Sequence, residues 1–286
     1  MPASLMAISD LHINYRTNRE LLQQLRPSND GDWLILAGDV ADTVADIEWA
    51  LRLLVKRFAK VIWVPGNHDL WTPRHDEVSL HGEARYRLLV ERCRELDVTT
   101  PEDPYPIWHG DGGPVRIAPL FLLYDYSFRR PGITADQALD QAYEAGIVLT
   151  DEILLHPDPY PTRSAWCHAR VAETERRLSS LPDTTPLVLV NHWPLHREPT
   201  RILDPAEVAL WCGTERTEDW HLRFNVAAVV FGHLHIPTTT MIDGVRFEEV
   251  SLGYPADRTE PWHPLYNRVD SGDPGAALRQ ILPVRK

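Results

Sequence analysis

Leu5-Met6-Ala7-Ile8-Ser9-Asp10-Leu11-His12 begins with four apolar residues and ends on a carboxylate and an imidazole one residue apart. The apolar part reads as a buried strand. The same figure recurs along the chain. Trp33-Leu34-Ile35-Leu36-Ala37 runs into Gly38-Asp39, and Val61-Ile62-Trp63-Val64 runs into Gly66-Asn67-His68-Asp69. Helical stretches separate these strands. Thr17-Asn18-Arg19-Glu20 has the form of a capping box opening a helix that Pro27 stops. Ile47, Ala50, Leu51, Leu54, Val55 and Phe58 mark the apolar face of the next helix. This βαβαβ rhythm predicts parallel strands in an α/β fold.

Later strands end the same way. Leu187–Val190 leads to Asn191-His192, and 227–231 leads to Gly232-His233-Leu234-His235. Strands are also expected over 115–124, 238–242 and 245–250, the last two joined by the hairpin signal Asp243-Gly244. Helices are expected over 85–96 and 162–181. Residues 135–161 read as mixed, and the Pro-, Arg- and Asp-rich tail after about residue 256 reads as irregular. With no repeat and no low-complexity linker, residues 1–286 are expected to form a single domain.

Five strand ends thus carry Asp10, His12, Asp39, Asn67, His192, His233 and His235. In open α/β sheets the carboxyl ends of the strands form the ligand crevice. Two carboxylates, one amide and four imidazoles make a ligand set for two metal ions, which lie about 3.5–4 Å apart in two-metal hydrolases. No cysteine belongs to the set, which disfavours a structural zinc site. Asp39 is the candidate bridge, and Gly38 before it lets the backbone turn tightly. Asn67 adds an oxygen without charge. The one-residue spacing within Asp10-x-His12 and His233-x-His235 is expected to place each pair on one side of an extended segment.

Asp10-Leu11-His12, Gly38-Asp39, Gly66-Asn67-His68-Asp69, Asn191-His192 and Gly232-His233-Leu234-His235, in that order, resemble the calcineurin-like metallophosphoesterases. The resemblance implies the metallo-dependent phosphatase fold, a four-layer α-β-β-α sandwich of two mixed sheets. It implies one metal held by Asp10, His12, Asp39 and His235, and a second held by Asp39, Asn67, His192 and His233. Iron and manganese are the expected occupants, with zinc also admitted. The implied reaction is in-line phosphoester hydrolysis, with His68 as general acid and Asp42 orienting it. Related protein phosphatases carry an arginine after that aspartate; Thr43 here argues against their activity.

A narrower resemblance is to the actinobacterial phosphopantetheinyl hydrolases. It rests on blocks such as Phe58-Ala59-Lys60-Val61-Ile62-Trp63, Leu122-Leu123-Tyr124-Asp125-Tyr126-Ser127-Phe128 and Trp211-Cys212-Gly213-Thr214. It implies cleavage of the phosphodiester that joins 4′-phosphopantetheine to a serine of holo-acyl carrier protein. The alternative is a phosphomonoesterase or cyclic-nucleotide phosphodiesterase acting on a small molecule. Tyr126, Arg129, His196 and Arg197 are the expected substrate contacts.

The net charge of −12, from 29 basic and 41 acidic residues, argues against nonspecific nucleic-acid binding. A carrier protein is itself acidic, so docking one demands a local basic patch; Arg16, Arg129, Arg130, Arg197 and Arg201 are its candidates. The first ten residues lack a basic region and meet Asp10 too early for a signal peptide. No apolar run approaches a membrane span. Cys93, Cys167 and Cys212 are odd in number and dispersed, so a reducing cytoplasm is expected. Trp211, Trp220 and Trp262 read as core, and Asp69 as a turn residue.

Overall fold

The structure is a computed structural model and describes residues 3–265, 268–269 and 273–284. Its strands are β1 (Leu5–Ile8), β2 (Trp33–Leu36), β3 (Lys60–Trp63), β4 (Ile107–Trp108), β5 (Val115–Pro119), β6 (Leu187–Val190), β7 (Val226–Phe231), β8 (Thr239–Ile242), β9 (Val245–Glu249) and β10 (Arg279–Leu282). One sheet has the order β10-β1-β2-β3, with β10 alone antiparallel. The other has the order β4-β5-β6-β7-β9-β8, parallel in its centre and antiparallel at both edges. Asp243 and Gly244, at φ 48° and 83°, make the β8–β9 hairpin turn.

The helices are α1 (Arg16–Gln24), α2 (Val44–Leu54), α3 (Asn67–Leu70), α4 (Gly82–Glu95), α5 (Ala135–Glu144), α6 (Asp151–Leu154), α7 (Arg163–Ser179) and α8 (Trp220–Arg223). Strand alternation sets the layers, because successive side chains leave a strand on opposite faces. Leu5 and Ala7, Ile35 and Ala37, and Ile62 and Val64 cluster with Val115, Ile117, Val188, Val190, Ala228 and Val230 of the other sheet. The intervening Met6, Ile8, Leu34, Leu36, Leu187 and Leu189 join a separate core with helix residues such as Leu22, Leu51, Leu89 and Trp166. Two mixed sheets therefore face each other and helices cover their outer faces, the four-layer α/β sandwich. Strands buried on both sides read as continuous apolar runs, which is why they were visible in the sequence.

Local expectations failed in three places. The capping box does not form: α1 starts at Arg16, Tyr15 offers no side-chain cap, and Glu20 pairs with Arg16 at 2.7 Å. Asn18 is drawn inward instead, donating to the carbonyls of Leu11 at 2.8 Å and Gly253 at 3.1 Å. The strand expected over 115–124 stops at Pro119. Beyond it the chain is held by Asn191, whose Oδ1 accepts the Leu122 N–H at 3.0 Å and whose Nδ2 donates to the Leu122 carbonyl at 3.3 Å.

The tail is not irregular throughout. It has short 3-10 turns at Asp257–Thr259 and Pro274–Ala277, then β10 pairs antiparallel with β1. Four residues after a Pro- and Gly-rich stretch show too little periodicity to announce a strand, yet Ile281 and Leu282 are buried between the sheets. Ile281→Ala should therefore cost about 2–5 kcal/mol in chemical denaturation. A loss under about 0.5 kcal/mol would place the tail outside the core.

Candidate metal centre

Parallel strands deliver their carboxyl ends to one edge of each sheet, and main-chain bonds join the two edges. Ser9 N–H donates to the Val250 carbonyl at 3.0 Å, and Leu252 N–H to that of Ser9 at 2.9 Å. The turns that follow are sharp. Asp10, His12, Asp39, His233 and His235 have φ values of 52°, 40°, 54°, 73° and 57°. All lie in the left-handed region that residues with a Cβ rarely occupy. The pairs Asp10/His12 and His233/His235 thus converge through backbone reversals, not along an extended segment as expected. Glycines make the space: a Cβ on Gly38 would lie 2.6 Å from Nδ1 of His192, and one on Gly66 would lie 2.1 Å from Oδ1 of Asp39.

The seven expected ligands form two clusters. In the first, Nε2 of His235 lies 3.1 Å from Oδ1 of Asp10 and 3.1 Å from Nε2 of His12. In the second, Nε2 of His192 lies 3.0 Å from Oδ1 of Asn67, 3.2 Å from Nδ1 of His233 and 3.4 Å from Oδ2 of Asp39. Atoms sharing a cation at about 2.1 Å sit roughly 3–3.5 Å apart, so both clusters have the right spacing. The donor chemistry agrees. Oδ1 of Asp10 is buried without a hydrogen-bond partner, whereas Oδ2 of Asp10 accepts from Ser9 Oγ at 2.5 Å, Ser251 Oγ at 2.7 Å and His233 N at 3.0 Å. One oxygen is saturated by the protein and its twin is left for a cation.

Residues outside the expected ligand set aim these ligands. Nδ1 of His192 donates to the Ala37 carbonyl at 2.9 Å, and Nδ1 of His235 faces Oδ2 of Asp257 at 2.9 Å. Each bond leaves Nε2 with its lone pair toward the cluster, the usual support for a metal-binding imidazole. Oδ1 of Asp151 accepts Nδ2 of Asn67 at 2.9 Å, which turns the amide oxygen toward His192. Asp69 is a backbone clamp: its carboxylate accepts the N–H groups of Asp39 at 3.1 Å, Val40 at 2.9 Å and Gly66 at 3.0 Å. No motif spacing signals Asp151 or Asp257, since each meets its ligand only through the tertiary fold.

Residues 3–237 match the family model described as calcineurin-like phosphoesterase. The chain belongs to that family. It is a hydrolase of phosphoric esters, and the clusters are candidate sites for the metals on which the family depends. The chain is 52% identical over 98% of its length, and 83% of the relative's, to the [acyl-carrier-protein] phosphodiesterase PptH of Mycobacterium tuberculosis. It is also similar to the crystal structure of that organism's phosphopantetheinyl hydrolase PptH. There the TM-score is 0.92 and the identity 51%, covering 99% of this chain and 97% of the other.

In this phosphoesterase His68 is packed beside the clusters. Nδ1 faces Oδ1 of Asp42 at 2.8 Å, Trp71 lies against the ring at 3.5 Å between centroids, and Nε2 is 4.0 Å from Oδ2 of Asp39. Burial opposes a charge on the imidazole, but Asp39 and Asp42 outweigh it and raise its pKa above the ordinary value. Thr43, at the position of the protein phosphatases' arginine, caps α2 by accepting the Asp46 N–H at 3.2 Å.

Of the expected substrate contacts, Arg129 and Arg197 share one cavity, whose lining does not include Tyr126 or His196. Tyr126 is buried, and Glu152 accepts its hydroxyl at 2.8 Å, Trp211 Nε1 at 2.7 Å and Arg163 Nη1 at 2.8 Å. His196 packs its ring beside His221 and Phe247. Arg129 and Arg197 join Arg130 and Arg201 around a cavity of about 250 Å³ floored by Phe128, Ile133 and Leu210. Arg16 is not among them; it pairs with Glu20. The turn Ala206–Trp211 contributes residues to this cavity and to another of about 300 Å³. Leu203, Val208, His233, His235, Tyr254 and Trp262 line the second. Trp211 and Trp220 are core as expected; Trp262 is not, being 62% exposed beside the cluster.

Without metal the clusters hold protons. Burial lowers the pKa of His192, but the charges of Asp39 and Asp10 raise it to about 9. Burial likewise opposes charge on His235, yet the adjacent carboxylates of Asp10 and Asp257 raise it to about 10. Both rings are therefore protonated at pH 7 in the metal-free protein and must lose that proton to become ligands. Calorimetric titration with Mn²⁺ at pH 7 in buffers of different ionisation enthalpy should show net proton release. Zero release or uptake would contradict the assignment.

Proposed function

We propose that this phosphoesterase cleaves the phosphodiester of holo-acyl carrier protein, releasing 4′-phosphopantetheine and leaving a free serine. The observation that carries the reading is the 52% identity to an acyl-carrier-protein phosphodiesterase across nearly the whole chain. Asp10, His12, Asp39 and His235 would hold one metal, and Asp39, Asn67, His192 and His233 the other, with Asp39 as the bridge. Carboxylate, amide and imidazole donors without thiolate suit iron and manganese and also admit zinc. Such a pair supplies a nucleophile at neutral pH and neutralises the phosphoryl oxygens.

The protein's own groups complete the reaction. Water loses one proton to solvent, its oxygen forms the new bond to phosphorus, and the bond from phosphorus to the serine oxygen breaks. That oxygen takes the proton held on Nε2 of His68, which solvent then replaces. Asp42 fixes the ring by binding Nδ1 and turns Nε2 toward the cluster. Incubating the metal-loaded enzyme with holo-carrier protein should lower the carrier's mass by the prosthetic group, and Asp39→Ala should abolish the change. An unchanged carrier alongside rapid hydrolysis of a cyclic nucleotide would overturn the substrate.

Four arginines around one cavity are the candidates for the basic patch that an acidic carrier needs on an acidic enzyme, and a docking carrier would take Arg130, Arg197 and Arg201 from their present partners Glu207, Glu215 and Glu198. The substrate roles of Arg129 and Arg197 would then belong to docking, not to chemistry; Tyr126 and His196 are not in the lining of that cavity. Arg130 and Arg201 are exposed at 74% and 71% of their side chains. Reversing both to glutamate should raise KM for the carrier roughly tenfold and leave bis(4-nitrophenyl) phosphate turnover unchanged. Equal effects on both substrates would remove the patch from docking. We place the reaction in the cytoplasm, a reading supported by the buried free thiols of Cys93, Cys167 and Cys212. Among the described residues no helix is long and apolar enough to cross a membrane.

A further inference from the structure

Tyr254 reaches His68 from a segment beyond residue 237, where the family match ends. Its hydroxyl lies 3.2 Å from Nε2 of His68, the nitrogen that Asp42 leaves open. Its ring sits 4.5 Å between centroids from both His12 and His235. The segment is anchored at several points. Oδ2 of Asp257 accepts the Tyr254 N–H at 2.9 Å while facing His235. Nε2 of His263 donates to the His235 carbonyl at 2.9 Å, and buried Arg258 donates to the Gly253 carbonyl at 3.0 Å. Tyr254 is thus tied to the cluster by backbone and side chain, and it lines the same cavity as His233 and His235.

Counting hydrogens shows what the hydroxyl is free to do. In the acid role His68 is protonated, so both ring nitrogens donate: Nδ1–H to Asp42 and Nε2–H to the Tyr254 oxygen. The phenol's own O–H is then unspent, and among the described residues its oxygen has no other hydrogen-bond partner. A leaving oxygen close enough to take the proton from Nε2 also comes within reach of that O–H.

We propose that Tyr254 is a second catalytic donor of the phosphodiesterase: its O–H bonds the leaving serine oxygen beside the Nε2–H of His68. On substrate binding Nε2–H exchanges the Tyr254 oxygen for the serine oxygen, and the phenol O–H turns to the same atom. As the phosphorus–oxygen bond breaks, the electron pair stays on the serine oxygen and His68 gives up its proton. Tyr254 keeps its own proton and stabilises the developing charge. The inference rests on the acid role of His68 and on an alkoxide leaving group.

Tyr254→Phe tests it, because phenylalanine keeps the ring contacts with His12 and His235. On holo-carrier protein kcat should fall on the order of 10²-fold with KM little changed. On bis(4-nitrophenyl) phosphate, whose leaving group departs without a proton, it should change less than about threefold. Unchanged metal content and melting temperature make the loss chemical. Equal losses on both substrates, no loss on either, or loss of metal would each overturn the proposal. If wild-type enzyme leaves holo-carrier intact, the substrate reading alone falls. The comparison then runs on a 2′,3′-cyclic nucleotide, whose leaving group is also an alkoxide.

Discussion

Buried carboxylates and imidazole lone pairs pointed at one another are what the rest of this structure has to accommodate. Asp10 and His12 are fully buried, and Nε2 of His12 faces Nε2 of His235 at 3.1 Å. Without a proton or a cation between them such groups repel, and removing them from water adds several kcal/mol per charge. Five of the clustered residues also hold left-handed backbones, at about 1–3 kcal/mol each. That sum, about 5–15 kcal/mol, rivals the whole stability of an ordinary domain. Binding of two metals is the compensation large enough to offset it, since a single structural zinc contributes about 10–16 kcal/mol in small peptides.

The scaffold is arranged around that need. Parallel strands bring their ends together, the Ser9 and Val250 main chains join the two sheets there, and glycine at 38 and 66 admits side chains where a Cβ would collide. Behind the ligands stands a row of further acids. Asp69 clamps backbone N–H groups, Asp151 turns the Asn67 amide, Asp257 fixes His235, and Asp42 fixes His68. These carboxylates orient ligands and are not counted among them. Four arginines gather around a neighbouring cavity, three of them paired with Glu198, Glu207 and Glu215.

Much of the fold and the candidate site was legible in the chain because the central strands are apolar on both faces and lead into polar residues. That pattern located β1, β2, β3, β6 and β7 and the seven clustered side chains. The failures share one cause, a tertiary contact overriding a local rule. Asn18 turns inward to Leu11 and Gly253, so the capping box at Thr17 never forms. Asn191 captures Leu122, so the strand expected through Tyr124 ends at Pro119. Pairing with β1 makes a strand of Arg279–Leu282 that has no periodicity to show. Trp262 stands in solvent beside the metal cluster instead of in the core.

The chain's own motifs establish which donor types stand at which strand ends, and the family resemblance those motifs carry implies the two mixed sheets and the phosphoesterase chemistry. Short spacings such as Asp10-x-His12 are local, and ligand identity survives any detail of how the chain arrives. Only the tertiary structure decided how those donors are aimed: left-handed turns in place of extended ones, Asp151 behind Asn67, and Asp257 and Tyr254 reaching the site from the far end of the chain. A hydrogen bond between Tyr254 and His68 joins residues 186 positions apart. No pattern along the chain can encode such a pair, because only folding makes them neighbours.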